Sequence, residues 1–412
     1  MSAQPHQTPD PATHFFDVVV CGAGPAGLAT AVAFANMGLE IAICGKIPAH
    51  SASRPDTRTA ALFSPSLEFL EQIGVWSELA PGCAPLRAVR IIDASDRLFR
   101  APETLFSAHD VGQASLGYNC PNPNIVSVLA RNLEHKTDIT CFLDHQIVSA
   151  TCEQHTVTVQ LCTEDGRASL ALRAPLVIAA DGRHSIVRHA AEIATRTWDT
   201  NQHAVTVQFS HTRPHQGIST EFHRRGGPLT VTPLQGSASA LVWVEQEQAS
   251  HDLMALSDQA FVTTLKSHLS GLLGDIELRT ARRSFPLTSQ IAVRMAANRT
   301  ALVGETAHAF PPIGAQGLNL SLRDIAELRN HIQSALTMKV ADIGCAEVLD
   351  GYDRKRRTDV STRVYGVDLM GRSLTSSFLP AALTRGAMLH SANTIPAFKR
   401  FLIQQGTGIT AN

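Results

Sequence analysis

The sequence predicts an α/β protein in which a parallel, nucleotide-binding sheet is joined to a mixed or antiparallel sheet and followed by C-terminal helices. Three observations carry that expectation. Apolar β-formers in Asp17-Val-Val-Val-Cys21 run straight into Gly22, Gly24 and Gly27, after which Leu28, Ala31, Val32 and Ala35 recur at helical spacing. Two later runs, Pro175 to Ala180 and Thr300 to Gly304, are short and wholly apolar, as buried parallel strands are. Between them, from about Ala204 to Arg283, apolar and polar residues alternate in several segments, the pattern of strands with one covered face.

The first of these is a strand, a tight turn and a helix. Gly22 makes the turn, Gly24 lets backbone approach a pyrophosphate, and Gly27 lets the helix pack on the strand. The helix N-terminus adds free N–H groups and a partial positive charge, so the stretch predicts dinucleotide binding. The next strand, Glu40 to Cys44, leads to the place where a carboxylate usually meets the adenosine ribose. Here Gly45 and Lys46 follow instead.

Composition sets the limits. The chain has 412 residues, 44% apolar and 17% charged, enough for two or three domains' worth of core. A net charge of -1 and the lack of a basic stripe interleaved with aromatics argue against nucleic acid. Met1 to His14 lacks the order of a signal peptide and no apolar run reaches membrane-spanning length, so a cytoplasmic protein is expected. Eight scattered cysteines without a C-x-x-C pair read as buried free thiols, with no metal site.

Along the chain, Arg54 to Leu62 forms a charged loop, then a helix through Leu67, Leu70 and Ile73 stops near Gly74. From Ile139 to Leu172 alternation around the turn Glu164-Asp165-Gly166 predicts a small antiparallel sheet. The buried strand ending at Ala180 delivers Asp181-Gly182, with Ser185 and Arg188, to the carboxyl edge of the sheet, where ligands bind. A helix is expected from Asp252 to Leu273, and Phe209, Phe222 and Trp243 read as core rather than pocket lining. After Gly304 a loop carries Glu305, His308 and Pro311-Pro312, and from its Gly-rich end Leu318, Leu322, Ile325, Leu328, Ile332 and Leu336 mark one face of a long helix. Its N-terminus would point free amides and a positive end at an occupant of the cleft that becomes anionic when reduced.

Taken together, Gly22-x-Gly24-x-x-Gly27, Arg58-x-x-Ala61-Leu62, Asp181-Gly182 and Gly304-Glu305-x-x-His308 through Gln316-Gly317-x-Asn319 resemble, in order, the single-component FAD-dependent aromatic hydroxylases. Pro311 to Asp324 and Tyr352 to Arg357 are most similar to the ubiquinone-biosynthesis hydroxylases. The resemblance implies a para-hydroxybenzoate-hydroxylase-like fold: a tail over 1–14, an FAD-binding domain over 15–80, 121–200 and 291–340, a substrate domain over 81–120 and 201–290, and a helical region over 341–412. It implies FAD held by Gly22, Gly24, Ala26, Gly27, Arg58, Asp181, Gly182, Glu305, Pro312, Gly314, Gln316, Gly317, Leu318 and Asn319. Glu305 stands where the family has aspartate.

The implied reaction is ring hydroxylation of a prenylated phenol with dioxygen through a flavin C4a-hydroperoxide, so the cofactor carries the hard step. NAD(P)H or another non-resident donor supplies electrons. His308 is a candidate acid–base group, against a structural role beside Phe310. A prenylated quinone precursor calls for access to the inner membrane surface. The run Phe378 to Ile403, with Leu379, Leu383, Met388, Leu389, Phe398, Phe401 and Leu402 among Arg385, Lys399 and Arg400, reads either as a peripheral amphipathic element or as packing on the body. Arg354-Lys-Arg-Arg357 reads as a solvated face, and other ubiquinone-biosynthesis proteins are candidate partners. Two alternatives share some of these motifs: a prenyl-chain reductase that does not oxygenate, and a non-catalytic subunit. At Gly45 a glutamate is expected to tighten FAD binding, unless Lys46, Arg54 or Asp56 already reaches the adenosine or a positive φ requires glycine.

Overall fold

The computed structural model describes residues 12–48, 56–95, 100–163, 165–166, 169–311, 316–375 and 379–409. Behind the glycine turn lies a sheet in the order Ala296–Ala297, Thr300–Leu302, Leu176–Ala179, Val18–Cys21, Ile41–Cys44 and Ile139–Phe142. All its pairs are parallel except the first. Val18 to Cys21 and Leu176 to Ala179 are fully buried, which explains why their runs carry no polar alternation. The helices Pro25–Phe34, Asn122–Glu134 and Gln316–Thr337 pack together beside this sheet. The apolar stripe of the last helix is buried at Leu322, Ile325, Leu328 and Ile332.

The antiparallel strands His145–Cys152, Val157–Thr163 and Ser169–Ala174 form a separate sheet. Ile139–Phe142, expected to belong to it, instead extends the parallel sheet beside Ile41–Cys44, because its backbone completes that strand's free edge. The polar tail expected through His14 also ends earlier. Ala12–Phe15 pairs in parallel with Ser169–Ala174, so backbone hydrogen bonding orders a stretch whose side chains are all exposed.

The large sheet runs His308–Ala309, Arg283–Ala292, Thr195–His211, Ala238–Gln246, Leu229–Pro233, Ile218–His223, Ala88–Asp93 and Thr104–Ser107, with Ile276–Leu278 paired to one side. The expected border between residues 200 and 201 therefore falls inside one continuous strand. On the outer face Phe209, Phe222 and Trp243 join Phe261 and Leu265 in a dry cluster, which makes them core. The single helix expected over Asp252 to Leu273 is two, Glu247–Ala255 and Asp258–Leu269. Leu256 adopts extended backbone between them, and the Ser257 hydroxyl accepts from the Ala260 N–H to cap the second.

The cysteines depart from the expectation of free buried thiols. Cys83 and Cys120 are disulfide-bonded, and Cys141 is exposed. In the three-stranded sheet Thr59–Phe63, Gly117–Pro121, Ala84–Leu86, residue 84 lies opposite 119, so the next pair is 83 with 120. Strand register, which sequence spacing does not reveal, brings the two sulfurs together. Cys21 and Cys44 are buried free thiols, as expected.

The helix Ala346–Thr375 buries Leu349, Tyr352, Val360 and Val364 in the main core. Leu379–Thr394 and Pro396–Thr407 follow, and Ile403 and Ile409 pack against Ala108 and Leu116. Among the described residues no helix is long and apolar enough to cross a membrane.

Candidate active site

The glycines of the first turn divide into two kinds. A Cβ on Gly22, where φ is +115°, would lie 2.3 Å from the Ala180 carbonyl oxygen, and one on Gly27 would lie 1.8 Å from the Gly22 oxygen. These two are required by backbone packing. Gly24 faces open space, with nothing within 4 Å of a Cβ. The helix it precedes has no side-chain cap, so its first amides open onto a cleft of about 430 Å³ lined by Gly22, Gly24, Gly45, Lys46, Asp181 and Gly182.

Asp181 ends the strand Leu176–Ala179 and serves two directions. Its Oδ2 accepts from the Ile186 N–H at 2.9 Å and the Val187 N–H at 3.3 Å, capping a short helix together with the Ser185 hydroxyl. Its Oδ1 is buried and has no partner among the described residues. Burial pushes this carboxyl upward from its ordinary value, against the hydrogen bonds from Ser185, Val187 and Ile186. An orphaned carboxylate oxygen beside a glycine cradle fits a ligand that offers hydroxyl donors to one and phosphates to the other. A cofactor with a sugar and a pyrophosphate meets both.

The motifs that are distant in sequence interlock here. The Gly182 N–H donates to Thr306 Oγ1 at 3.1 Å, and Arg188 donates to the Thr306 carbonyl at 2.8 Å. Gly304, with φ of +65°, is crowded by Ala26 and Ser321, so a Cβ would lie 3.0 Å from the Ala26 Cβ. The turn at Ala26, the Gly304 turn and the start of the long helix thus converge at one point.

A buried ionic cluster that sequence reasoning missed holds this point together. Asp324 Oδ2 accepts from the Gly304 N–H at 3.1 Å and lies 2.6 Å from His308 Nε2. Its Oδ1 lies 2.7 Å from Arg356, which also pairs with Asp359. Burial acts to raise the Asp324 carboxyl, but His308 and Arg356 outweigh it and hold it below the usual range. Arg356 is therefore not part of a solvated face, as expected for residues 354–357; it turns inward because a buried carboxylate needs a counter-charge. His308, buried in this pair and stacked near Phe310, anchors the loop. The signal available in the sequence was Asp324 itself, a charge between Leu320 and Leu328 at four-residue spacing on an apolar stripe.

Other expected contacts are rearranged. Asn319 commits its side chain to the protein: Oδ1 accepts from the Phe63 N–H and Ser66 hydroxyl, and Nδ2 donates to the Ala61 carbonyl at 2.7 Å. Gln316, Gly317 and Leu318 stand in the first turn of the long helix. Arg58 clasps Asp56 with two hydrogen bonds of 2.8 Å and lies over the Phe285 ring at 5.1 Å. The Glu305 carboxylate lies 3.4 Å from Arg183. Pro312, Gly314, Arg54 and Phe378 lie outside the described residues, as do the side chains of Leu379, Leu383 and Arg385.

The large sheet turns its inner face toward this assembly. Thr206 Oγ1 lies 2.6 Å from Thr57 Oγ1, and Gln208 donates to the Thr57 carbonyl. Strand register sets Arg283, Thr206, Val242, Thr230, Glu221 and Ile91 in one row across that face. Val242, Thr230 and Glu221 are only half-buried, whereas Leu241, Trp243, Leu229 and Val231 on the opposite face are fully buried. The inner face is thus an open, mixed apolar and polar surface beside the Thr57–Arg58 segment.

A family model described as an FAD binding domain matches residues 16–365. An uncharacterized protein, slr1300, of Synechocystis is 30% identical over 96% of this chain and 93% of its own length. A ubiquinone hydroxylase, UbiL, of Rhodospirillum rubrum is 29% identical over 95% of this chain and 89% of its own. Among solved structures, p-nitrophenol 4-monooxygenase PnpA from Pseudomonas putida superposes with a TM-score of 0.75 at 18% identity, covering 96% of this chain and 98% of that one, and so shares the fold.

Proposed function

The chain belongs to the FAD-binding-domain family, and on that premise we propose that it is an FAD-dependent monooxygenase that hydroxylates the aromatic ring of a prenylated phenol in ubiquinone biosynthesis. The observation that carries the reading is near end-to-end similarity to a ubiquinone hydroxylase. The named relatives give the reductase and the non-catalytic subunit no comparable support.

Bound FAD would supply oxygen activation once NAD(P)H or another donor has reduced it. The chain's own residues do the rest. Gly22, Gly24, Gly27 and the helix behind them bind pyrophosphate, and Asp181 Oδ1 accepts from a cofactor hydroxyl. The first-turn amides of Gln316, Gly317 and Leu318 set a positive end against the ring, which favours its anionic reduced form. The inner face of the large sheet orients the phenol and keeps water away from the reacting atoms.

The substrate's apolar tail implies contact with the inner membrane surface, where other ubiquinone-biosynthesis proteins would hand it over. Met388, Ile395 and Phe401, each 42% to 51% exposed near Lys399 and Arg400, suit that surface. The test is to supply FAD-loaded protein with NAD(P)H, labelled dioxygen and a short-chain prenyl phenol. One labelled oxygen in the product ring is expected; consumption of the donor without oxygen insertion overturns the reading.

A further inference from the structure

The inner face of the large sheet holds a buried histidine whose arrangement the contacts above leave unused. Phe222 packs into the outer core, so its neighbours Glu221 and His223 point to the inner face. Glu221 stands in register with Thr230, Val242 and Thr206, three strand spacings or about 14 Å from the residue that meets Thr57.

His223 Nε2 lies 2.8 Å from Glu221 Oε1, with the side chains 9% and 15% exposed. An ionised carboxylate only accepts, so against it Nε2 carries the hydrogen, and in the neutral imidazole Nδ1 presents a lone pair. That Nδ1 is buried and has no partner among the described residues. The neighbouring carboxylate on the adjacent strand, Asp93, is engaged by the Ser95 N–H and hydroxyl and by the Ala101 N–H. A carboxylate-held imidazole with an unpartnered acceptor nitrogen, on the inner face of the sheet, is the arrangement of a general base.

We propose that His223 Nδ1 accepts the proton of the substrate's phenolic hydroxyl and that Glu221 is the positioning residue that fixes its tautomer. This rests on the phenol-hydroxylase reading. In the step the O–H bond breaks and an N–H bond forms on Nδ1. The electron pair stays on oxygen, nothing is oxidised or reduced, and the Glu221 carboxylate faces the imidazolium. The resulting phenolate is a more electron-rich ring for oxygen transfer.

The test compares FAD-loaded wild type, His223→Gln and Glu221→Gln on two phenols: a short-chain prenyl phenol that is neutral at assay pH, and a fluorinated counterpart already ionised there. Flavin spectrum and melting temperature are read alongside. His223→Gln is expected to lower kcat on the neutral phenol by about 100-fold or more, but on the ionised one by less than about tenfold. Glu221→Gln is expected to shift in the same direction by less, and it carries the comparison if His223→Gln does not load FAD. Equal loss on both phenols, or no loss, overturns the base role while leaving the proposed function standing. Wild type that hydroxylates neither phenol overturns the proposed function and the base role with it.

Discussion

His308 and Asp324 meet at 2.6 Å, Nε2 to Oδ2, where neither side chain reaches solvent. The same carboxylate accepts from the Gly304 N–H and pairs with Arg356, so one buried charge ties a cofactor-side turn, a loop and two helices. Removing the guanidinium would leave that buried charge with only His308 and the Gly304 N–H to offset it. Arg356→Met is expected to lower stability by about 3–5 kcal/mol in chemical denaturation. The pH dependence has a definite sign. A carboxyl held below its unfolded value, ordinarily about 3.9, stabilises the fold above that pH and loses the contribution as the pH falls through its folded value. Asp324→Asn should therefore be less stable than wild type near neutrality, and the gap should narrow in acid below about pH 4. A constant gap across that range would contradict this account.

Arg58 is half-exposed, and its pair with Asp56 is the kind that contributes roughly 0–1 kcal/mol. Its position over Phe285 and next to Thr57 places it where the cofactor segment meets the inner face of the large sheet. Arg58→Ala should leave the melting curve nearly unchanged while cutting hydroxylation by about tenfold or more, equivalent to about 1.4 kcal/mol. Unchanged turnover would return Arg58 to a solvated loop residue.

The free Oδ1 of Asp181 bears on FAD affinity. Charge-assisted hydrogen bonds contribute roughly 1.5–3 kcal/mol, so Asp181→Ala should weaken FAD binding by about 10- to 150-fold in a fluorescence titration. Burial raises this carboxyl, so without ligand its contribution to stability is present below the ordinary value near 3.9 and is lost as the pH rises through the raised folded value. Apo-protein should lose stability in that window, and Asp181→Asn should remove the loss. An apo-protein with no such slope would count against the buried orphan.

Exposed Met388 and Phe401 lie on two helices that bury Leu389 and Ile403 in the body, and exposed Ile395 joins those helices. Packing on the body accounts for the buried face, and the proposed membrane contact concerns the exposed one. Met388→Ser with Phe401→Ser should reduce flotation with anionic liposomes without lowering the melting temperature. Equal flotation by both proteins would remove the membrane role.

The parallel sheet and the glycine turn were legible because burial on both faces leaves an uninterrupted apolar run, and close backbone packing leaves glycine no substitute. The long helix was legible from Leu322, Ile325, Leu328 and Ile332 on one stripe. Cys83 with Cys120, and Glu221 with His223 on the inner face, depend on strand register and on which face of a sheet is covered, which follow from pairings distant in sequence. Arg356 was misread because a basic run carries no mark of the one member whose partner, Asp324, lies on another helix. Gly45 was read as a missing acid, and its backbone conformation tells otherwise.

Gly45 has φ of +122°, a conformation that L side chains rarely adopt, and its Cβ would lie 3.2 Å from the Gly22 Cα and 3.3 Å from the Ala23 nitrogen. The turn after the second strand thus packs on the Gly22 turn, which is proposed to hold the pyrophosphate. A glutamate there would gain a ribose contact only by straining one turn and pushing the other, and backbone in such regions costs about 1–3 kcal/mol. That is as large as the 1.5–3 kcal/mol one charged hydrogen bond returns. The displaced atoms also belong to the proposed FAD cradle. Gly45→Glu is therefore expected to bind FAD more weakly than wild type and to melt lower, the reverse of what the missing carboxylate alone suggests. Gly45→Ala separates the two effects, since it introduces the strain without the carboxylate. If Gly45→Ala melts like wild type while Gly45→Glu binds FAD more tightly, the glycine is not a conformational requirement and the ribose position was vacant after all.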